Sequence, residues 1–288
     1  MINFLPENND YKYKKFIISL IVLLFLHTPT ILGAQVRLSD HIKIDSITFA
    51  EKRNTINQLP TDHFKKFVYK NNSKELPYRL LFPKNYDKNK KYPLIIAFHN
   101  SSRIGNDNEK QLEHLTKIWV REDIYSQYNA FVLAPQFNQR SSEYSENQEG
   151  ILISKPSDDM HQVLELLDEI EKNYKIDKSR IYLVGYSMGA STAQNLINLK
   201  PKKFAALVSV AAVPDFSNLK AWKNKNILLI HGQKDTSNPY KGSEALFIKM
   251  KGNNKLIFKT FTELNHDNIT IPLLLSDEIP NWLFQQHK

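Results

Sequence analysis

The 288-residue chain contains no cysteine, and that one absence removes several chemistries at once. Disulfides, thiolate zinc sites, iron–sulfur clusters and a cysteine nucleophile are excluded, as is the lipidated cysteine of a bacterial lipoprotein. Glycine is scarce as well, with eight residues in all, so two glycines flanking one serine stand out. No internal repeat or low-complexity block interrupts the chain. With 41% hydrophobic and 24% charged residues, it reads as a folded globular protein. The formal net charge is +9, but the lysines are spread among asparagines and isoleucines along the whole length. That distribution reads as a solvated basic surface, not as a patch for nucleic acid or membrane.

The amino terminus has the texture of an address. Tyr11–Lys15 carries three lysines, Phe16–Leu26 is a run of eleven that is apolar except for Ser19, and Gly33-Ala34 precedes Gln35. A basic start, a short apolar centre and a small-residue exit make a secretory signal peptide over residues 1–34. Eleven helical residues span roughly 16 Å, short of the ~30 Å hydrocarbon core that an uncleaved anchor would have to cross. The mature chain is expected to begin near Gln35, with a net charge of +8, and to work as a secreted or periplasmic protein.

Residues 35–63 read as a polar leader with weak periodicity. From Phe64 the texture changes. Phe64–Lys70 and Pro77–Pro83 flank Asn71-Asn72-Ser73, which predicts a hairpin. Buried strands are expected at Leu94–Phe98, Ala130–Ala134, Arg180–Gly185, Ala206–Val213, Asn226–Ile230 and Leu256–Phe261. Helical patterns lie between them at Glu109–Tyr125, Asp158–Tyr174, Met188–Leu199, Ser243–Lys251 and Glu278–Gln286. Strands alternating with helices imply one α/β domain over 64–288, with a mostly parallel sheet covered on both faces.

The chemistry concentrates in Gly185-Tyr186-Ser187-Met188-Gly189, placed between an apolar strand and a helix that opens with small residues. A serine there sits on a sharp turn where flanking side chains would collide, which accounts for the two glycines. It also sits at a helix amino terminus, with the Met188 N–H available to a developing oxyanion. A serine nucleophile needs a base, and the base needs an orienting carboxylate. His266, in a polar loop after the Leu256–Phe261 strand, is the better base, since His287 is the penultimate residue. Asp235, after the Asn226–Ile230 strand, is favoured as the acid over Asp215. Asp267 is adjacent to the histidine and poorly placed, and His231 reads as a packed strand-end residue. No metal or organic cofactor is required.

With Ser187, Asp235 and His266 in place, the chain resembles the α/β-hydrolases. Leu76–Asp87, Lys91–His99, Gly105–Leu112 and Ala134-Pro135-Gln136 narrow the resemblance to secreted bacterial esterases. That group includes the feruloyl and acetyl-xylan esterases, dienelactone-hydrolase-like proteins and prolyl-oligopeptidase-like "predicted peptidases". The resemblance implies an oxyanion hole formed by the N–H groups of Ser101 and Met188, with His99, Asn100, Gln136 and Tyr186 near the substrate. It implies a serine carboxylesterase acting on small-molecule or polysaccharide-linked esters, acetyl or feruloyl. A prolyl-oligopeptidase-type peptidase and a non-catalytic binding protein on the same fold are the alternatives. The family usually has His-Gly where this chain has His99-Asn100. Asparagine tolerates positive φ, so the turn is expected to survive with the Asn100 amide facing the alcohol side of the substrate. Pro214–Lys225 is too short to hold a helical cap, so no large cap domain is expected. The long Phe137–Pro156 connection, with Tyr144, is expected to border the acyl or sugar site.

Overall fold

The computed structural model describes residues 35–71 and 74–288. The expected signal segment, 1–34, lies outside the described residues, as do Asn72 and Ser73 at the expected hairpin turn.

The strands are Val36–Asp40 (β1), Phe64–Asn71 (β2), Lys74–Leu81 (β3), Tyr92–Phe98 (β4), Phe131–Pro135 (β5), Ser142–Glu146 (β6) and Leu152–Pro156 (β7). Ile176–Tyr186 (β8), Ala206–Val210 (β9), Asn226–Gly232 (β10) and Leu256–Phe261 (β11) follow. Nine of them form one sheet in the order β1-β11-β10-β9-β8-β4-β5-β3-β2, and β6 and β7 make a separate hairpin. Pairing is parallel from β1 through to β5 and antiparallel only at β5–β3 and β3–β2.

The helices are Ser46–Asn57 (α1), His114–Lys117 (α2), Glu122–Gln127 (α3), Asp159–Asn173 (α4), Met188–Leu199 (α5), Tyr240–Lys249 (α6), Ile271–Leu274 (α7) and Glu278–Phe284 (α8). Strand β4 shows how they cover the sheet. All seven of its residues are buried. Leu94, Ile96 and Phe98 join a core with Val163 and Leu167 of α4 and Leu196 of α5. Ile95 and Ala97 join a second core with Leu115 of α2, Ile124 of α3 and Leu283 of α8. A strand apolar on both pleat faces needs both layers, each buried aliphatic side chain contributing roughly 1.5–3 kcal/mol. This is the α/β-hydrolase architecture. A single turn, Leu219–Trp222, lies between β9 and β10, with no helical cap there. Among the described residues no helix is long and apolar enough to cross a membrane.

Three segments differ from the sequence reading. Residues 35–63 are built into the domain and not a leader apart from it: β1 extends the sheet beyond β11, and α1 buries Ile56 in the core. As an edge strand with four exposed residues, β1 carries no apolar run to reveal it. The expected helix over Glu109–Tyr125 breaks into α2, a short turn and α3. Arg121 takes ψ 132° at the break, and its Nη1 donates to the carbonyls of Leu274 (3.0 Å) and Ser276 (2.8 Å). The Phe137–Pro156 connection is the β6–β7 hairpin, fastened to α5. Ser141 Oγ lies 2.7 Å from Thr192 Oγ1, and Tyr144 Oη lies 3.1 Å from Ser191 Oγ.

Candidate active site

Ser187 joins β8 to α5 with φ 57° and ψ −123°. That conformation costs on the order of 1–3 kcal/mol for a residue with a Cβ, and close packing holds it in place. A Cβ on Gly185 would lie 2.3 Å from the Gly189 carbonyl carbon, and one on Gly189 would lie 2.2 Å from the Phe98 oxygen. Both glycines are therefore required by backbone contacts. The Ser187 N–H donates to Val210 O at 2.9 Å, tying the turn to β9.

Three side chains from three loops form one hydrogen-bonded chain. His266 Nε2 lies 2.9 Å from Ser187 Oγ, and His266 Nδ1 lies 2.7 Å from Asp235 Oδ2. Asp235 is 5% exposed. Burial pushes its carboxyl up, but hydrogen bonds from His231, His266 and the Asn238 N–H prevail and bring it down to about 2. An ionised Asp235 can only accept, so His266 Nδ1 carries the proton and Nε2 is left to accept from the serine hydroxyl. His231 is fully buried behind the pair. Its Nε2 lies 2.8 Å from Asn238 O and 3.2 Å from Asp235 Oδ2, while Nδ1 lies 2.7 Å from Ser243 Oγ. Two acceptors at Nε2 make that nitrogen the donor, so His231 helps to hold the carboxylate. Asp215 is elsewhere engaged, accepting from Asn195 Nδ2 (2.7 Å) and the Ser217 N–H (2.8 Å).

A cavity of about 220 Å³ opens beside Ser187, lined by Asn100, Ser101, Ser102, Tyr186 and His266, with Arg53, Arg103 and His114 around it. Met188, at the first position of α5, is buried. The Tyr186 hydroxyl donates to the His266 carbonyl at 2.7 Å, steadying the loop that carries the imidazole.

The other expected contacts sort differently. His99 is buried, with Nε2 accepting from the Phe137 N–H at 3.0 Å and Nδ1 facing the Asn100 carbonyl at 2.8 Å. Both nitrogens are used, and burial pushes the imidazole down to about 4, so His99 pins the end of β4 and is not on the cavity lining. Gln136 is buried too. Its Oε1 accepts from the Asn108 N–H at 2.6 Å and its Nε2 donates to Asp107 Oδ1 at 3.1 Å, bracing a loop off the cavity lining. Asn100 sits at φ −75° and ψ 172°, ordinary extended backbone, so no positive φ is needed where the family has glycine. Its Oδ1 caps the following turn through the Ser102 N–H (2.9 Å), and its amide nitrogen donates to Glu113. The β6–β7 hairpin packs on α5 and does not contribute to the cavity lining.

Sequence reasoning missed Arg53, Arg103 and His114. Arg53 lies in the segment read as a leader, and His114 opens α2 within the expected Glu109–Tyr125 helix.

Glu113, beneath Asn100, gives a pH prediction. Burial pushes its carboxyl from an ordinary 4.5 up to about 8, and its Oε1 has no partner among the described residues. The folded chain keeps it protonated while the unfolded chain ionises, so its contribution to stability is complete below about pH 4.5 and is lost as pH rises toward 8. Glu113→Gln should therefore melt above wild type at pH 8, by on the order of a few kcal/mol, with the gap narrowing toward pH 4. Melting curves with the same gap at both pH values would mean that Glu113 titrates normally.

Sheet order and serine elbow are those of the α/β-hydrolase fold, and Ser187, His266 and Asp235 stand in it as a hydrogen-bonded triad. Residues 138–223 match the prolyl oligopeptidase family. A protein of Aspergillus flavus named "Probable feruloyl esterase C" is 29% identical over 188 residues, covering 65% of this chain and 64% of its own. The chain thus spans just under two thirds of the length of that curated relative. The crystal structure of a thermostable esterase superposes with a TM-score of 0.70 at 26% identity, over 79% of this chain and 64% of that one. A ferulic acid esterase of Anaeromyces mucronatus, solved with ferulic acid, shares the fold at 16% identity and TM-score 0.56, over 77% of this chain and 90% of its own. The fold is the one these esterases share, and the sequence similarity runs to esterases and, over residues 138–223, to the prolyl oligopeptidase family.

Proposed function

We propose that the protein is a secreted serine carboxylesterase working through an acyl-enzyme. The observation that carries this is the unbroken hydrogen-bonded chain from Asp235 through His266 to Ser187 Oγ, at 2.7 and 2.9 Å. Ser187 Oγ attacks the ester carbonyl carbon and passes its proton to His266 Nε2. The tetrahedral intermediate collapses, the C–O bond breaks, and the leaving alcohol takes that proton. A water molecule then adds to the acyl carbon, giving its proton to His266. Collapse releases the carboxylic acid and returns the proton to Ser187. Asp235 holds the tautomer and balances the imidazolium charge. The N–H groups of Ser101, on the cavity wall, and Met188, at the start of α5, are suited to the oxyanion. Neither has an acceptor among the described residues.

Acyl groups carried on polysaccharide are the favoured substrates: the similarity to feruloyl esterases supports the acyl group, and the open, uncapped site supports a bulky carrier. A panel of 4-nitrophenyl acetate, butyrate and octanoate, methyl ferulate and acetylated xylan tests this. Turnover should be highest on the short or sugar-linked esters. The prolyl oligopeptidase match favours peptide cleavage as a second reading. Hydrolysis of a prolyl 4-nitroanilide that outruns every ester would select it. Export rests on the basic start and apolar run of residues 1–34. Amino-terminal sequencing of exported protein should begin near Gln35, whereas an intact Met1 would indicate an anchored form.

A further inference from the structure

Ester hydrolysis by a triad does not call for the charges that surround this cavity. Of the seven arginines in the chain, Arg37, Arg79, Arg121 and Arg180 each pair with a carboxylate, and Arg140 lies over the Tyr144 ring. The remaining two, Arg53 from α1 and Arg103 from the turn after β4, both line the cavity beside Ser187. Among the described residues neither has an ion pair, and Arg103 Nε is buried without a hydrogen-bond partner. Arg53 has only the face of Phe49, 5.0 Å from its guanidinium.

Two unpaired guanidiniums around one small hole repel each other and are poorly hydrated, a cost that an anion between them would relieve. The neighbouring groups register the field. His114, also on the wall, is pushed down to about 4 by burial and by Arg53 and Arg103. Lys117 is pushed down by burial and by Arg103. Glu113 does not neutralise the pair, because burial keeps it protonated to about pH 8 despite both arginines. Asp267 is the one carboxylate on the lining, and it is exposed at the rim. Tyr186 is the one aromatic there apart from the imidazoles, so the wall gives an apolar acyl group little to pack on.

We propose that Arg53 and Arg103 bind a carboxylate on the substrate, so that the enzyme selects esters bearing a negative charge close to the scissile bond. This rests on the esterase reading above. The carboxylate can belong to the acyl half, as in the half-ester of a dicarboxylic acid, or to the alcohol half, as in an acetylated uronic acid. The planar forks of the guanidiniums suit either, through charge-assisted hydrogen bonds.

Two matched pairs of substrates test the proposal on the full chain. Monomethyl glutarate against methyl valerate places the charge on the acyl side. O-acetylated oligogalacturonide against O-acetylated xylo-oligosaccharide places it on the alcohol side. In wild type at low salt, kcat/KM for the anionic member of one pair should exceed that of its neutral partner by about tenfold or more. That pair identifies the side. The advantage should shrink severalfold in about 0.5 M NaCl. Arg53→Gln and Arg103→Gln should each lower the anionic-to-neutral ratio about tenfold, mainly through KM, and Arg53→Lys should lower it less. Should Arg103→Gln fail to fold, the Arg53 variants and the wild-type salt series still decide. A wild-type ratio near one in both pairs, or a preference unmoved by both substitutions, overturns the inference while leaving the esterase intact. Absence of hydrolysis on all four substrates and on simple acetate esters would overturn the esterase reading and this inference with it.

Discussion

Replacing Ser187 with alanine should lower ester turnover by on the order of 10⁶ while leaving the protein folded. The hydroxyl is needed only for the chemistry. Ser187 Oγ has a single side-chain partner, His266 Nε2, and the elbow is held by the Ser187 N–H on Val210 O and by the two glycine contacts. Alanine at φ 57° carries the same Cβ that serine does, so the strain is unchanged. Two other serines provide an internal control. Ser101 and Ser102 also line the cavity, but Ser102 Oγ donates to Asn100 Oδ1 and neither contacts an imidazole. A fluorophosphonate probe should label Ser187 alone, and the alanine variant should lose labelling together with turnover. Near-native turnover by Ser187→Ala, or a probe adduct on Ser101, would transfer the attack to another oxygen.

The elbow was readable from the sequence because its causes are local. A strand, a helix and two glycines within five residues leave few conformations open. Each buried strand was likewise visible as an apolar run, since a strand covered on both faces cannot hide its composition. Asp235 and His266 were readable for another reason: chain order in this fold limits which acid and base can reach the serine. What escaped is non-local. Edge strand β1, Val-Arg-Leu-Ser-Asp, has no apolar signature because its neighbour β11 supplies the pairing. Arg53 reaches the cavity only through the packing of α1, which no local spacing encodes. The resemblance implies His99 and Gln136 near the substrate. The fold turns both inward, onto the Phe137 and Asn108 N–H groups. At Asn100 the family comparison suggested a backbone needing glycine, whereas the side chain itself caps the turn.

Asp235→Asn should cost about 10⁴ in turnover, the size of the loss in the serine-protease example of the same exchange. The present geometry gives the reason. Asp235 Oδ1 accepts the N–H groups of Ser237 (3.0 Å) and Asn238 (2.8 Å), while Oδ2 faces His266 Nδ1 at 2.7 Å and His231 Nε2 at 3.2 Å. Asparagine has one acceptor oxygen, and it must stay where two backbone donors point. The NH₂ then replaces Oδ2 and presents a donor to His266 Nδ1. That nitrogen must become the acceptor, which moves the ring proton to Nε2, where it can no longer take the proton of Ser187. Flipping the amide would turn its NH₂ onto both backbone donors and strand the buried Asn238 N–H, at about 1–3 kcal/mol, so the inverted tautomer is the cheaper outcome. Asp215→Asn makes the comparison, because that carboxylate serves Asn195 and Ser217 and does not touch the imidazole. Its turnover should stay within about tenfold of wild type. Parallel kcat measurements on 4-nitrophenyl acetate decide between them, and a larger loss at Asp215 than at Asp235 would move the orienting acid to the end of β9.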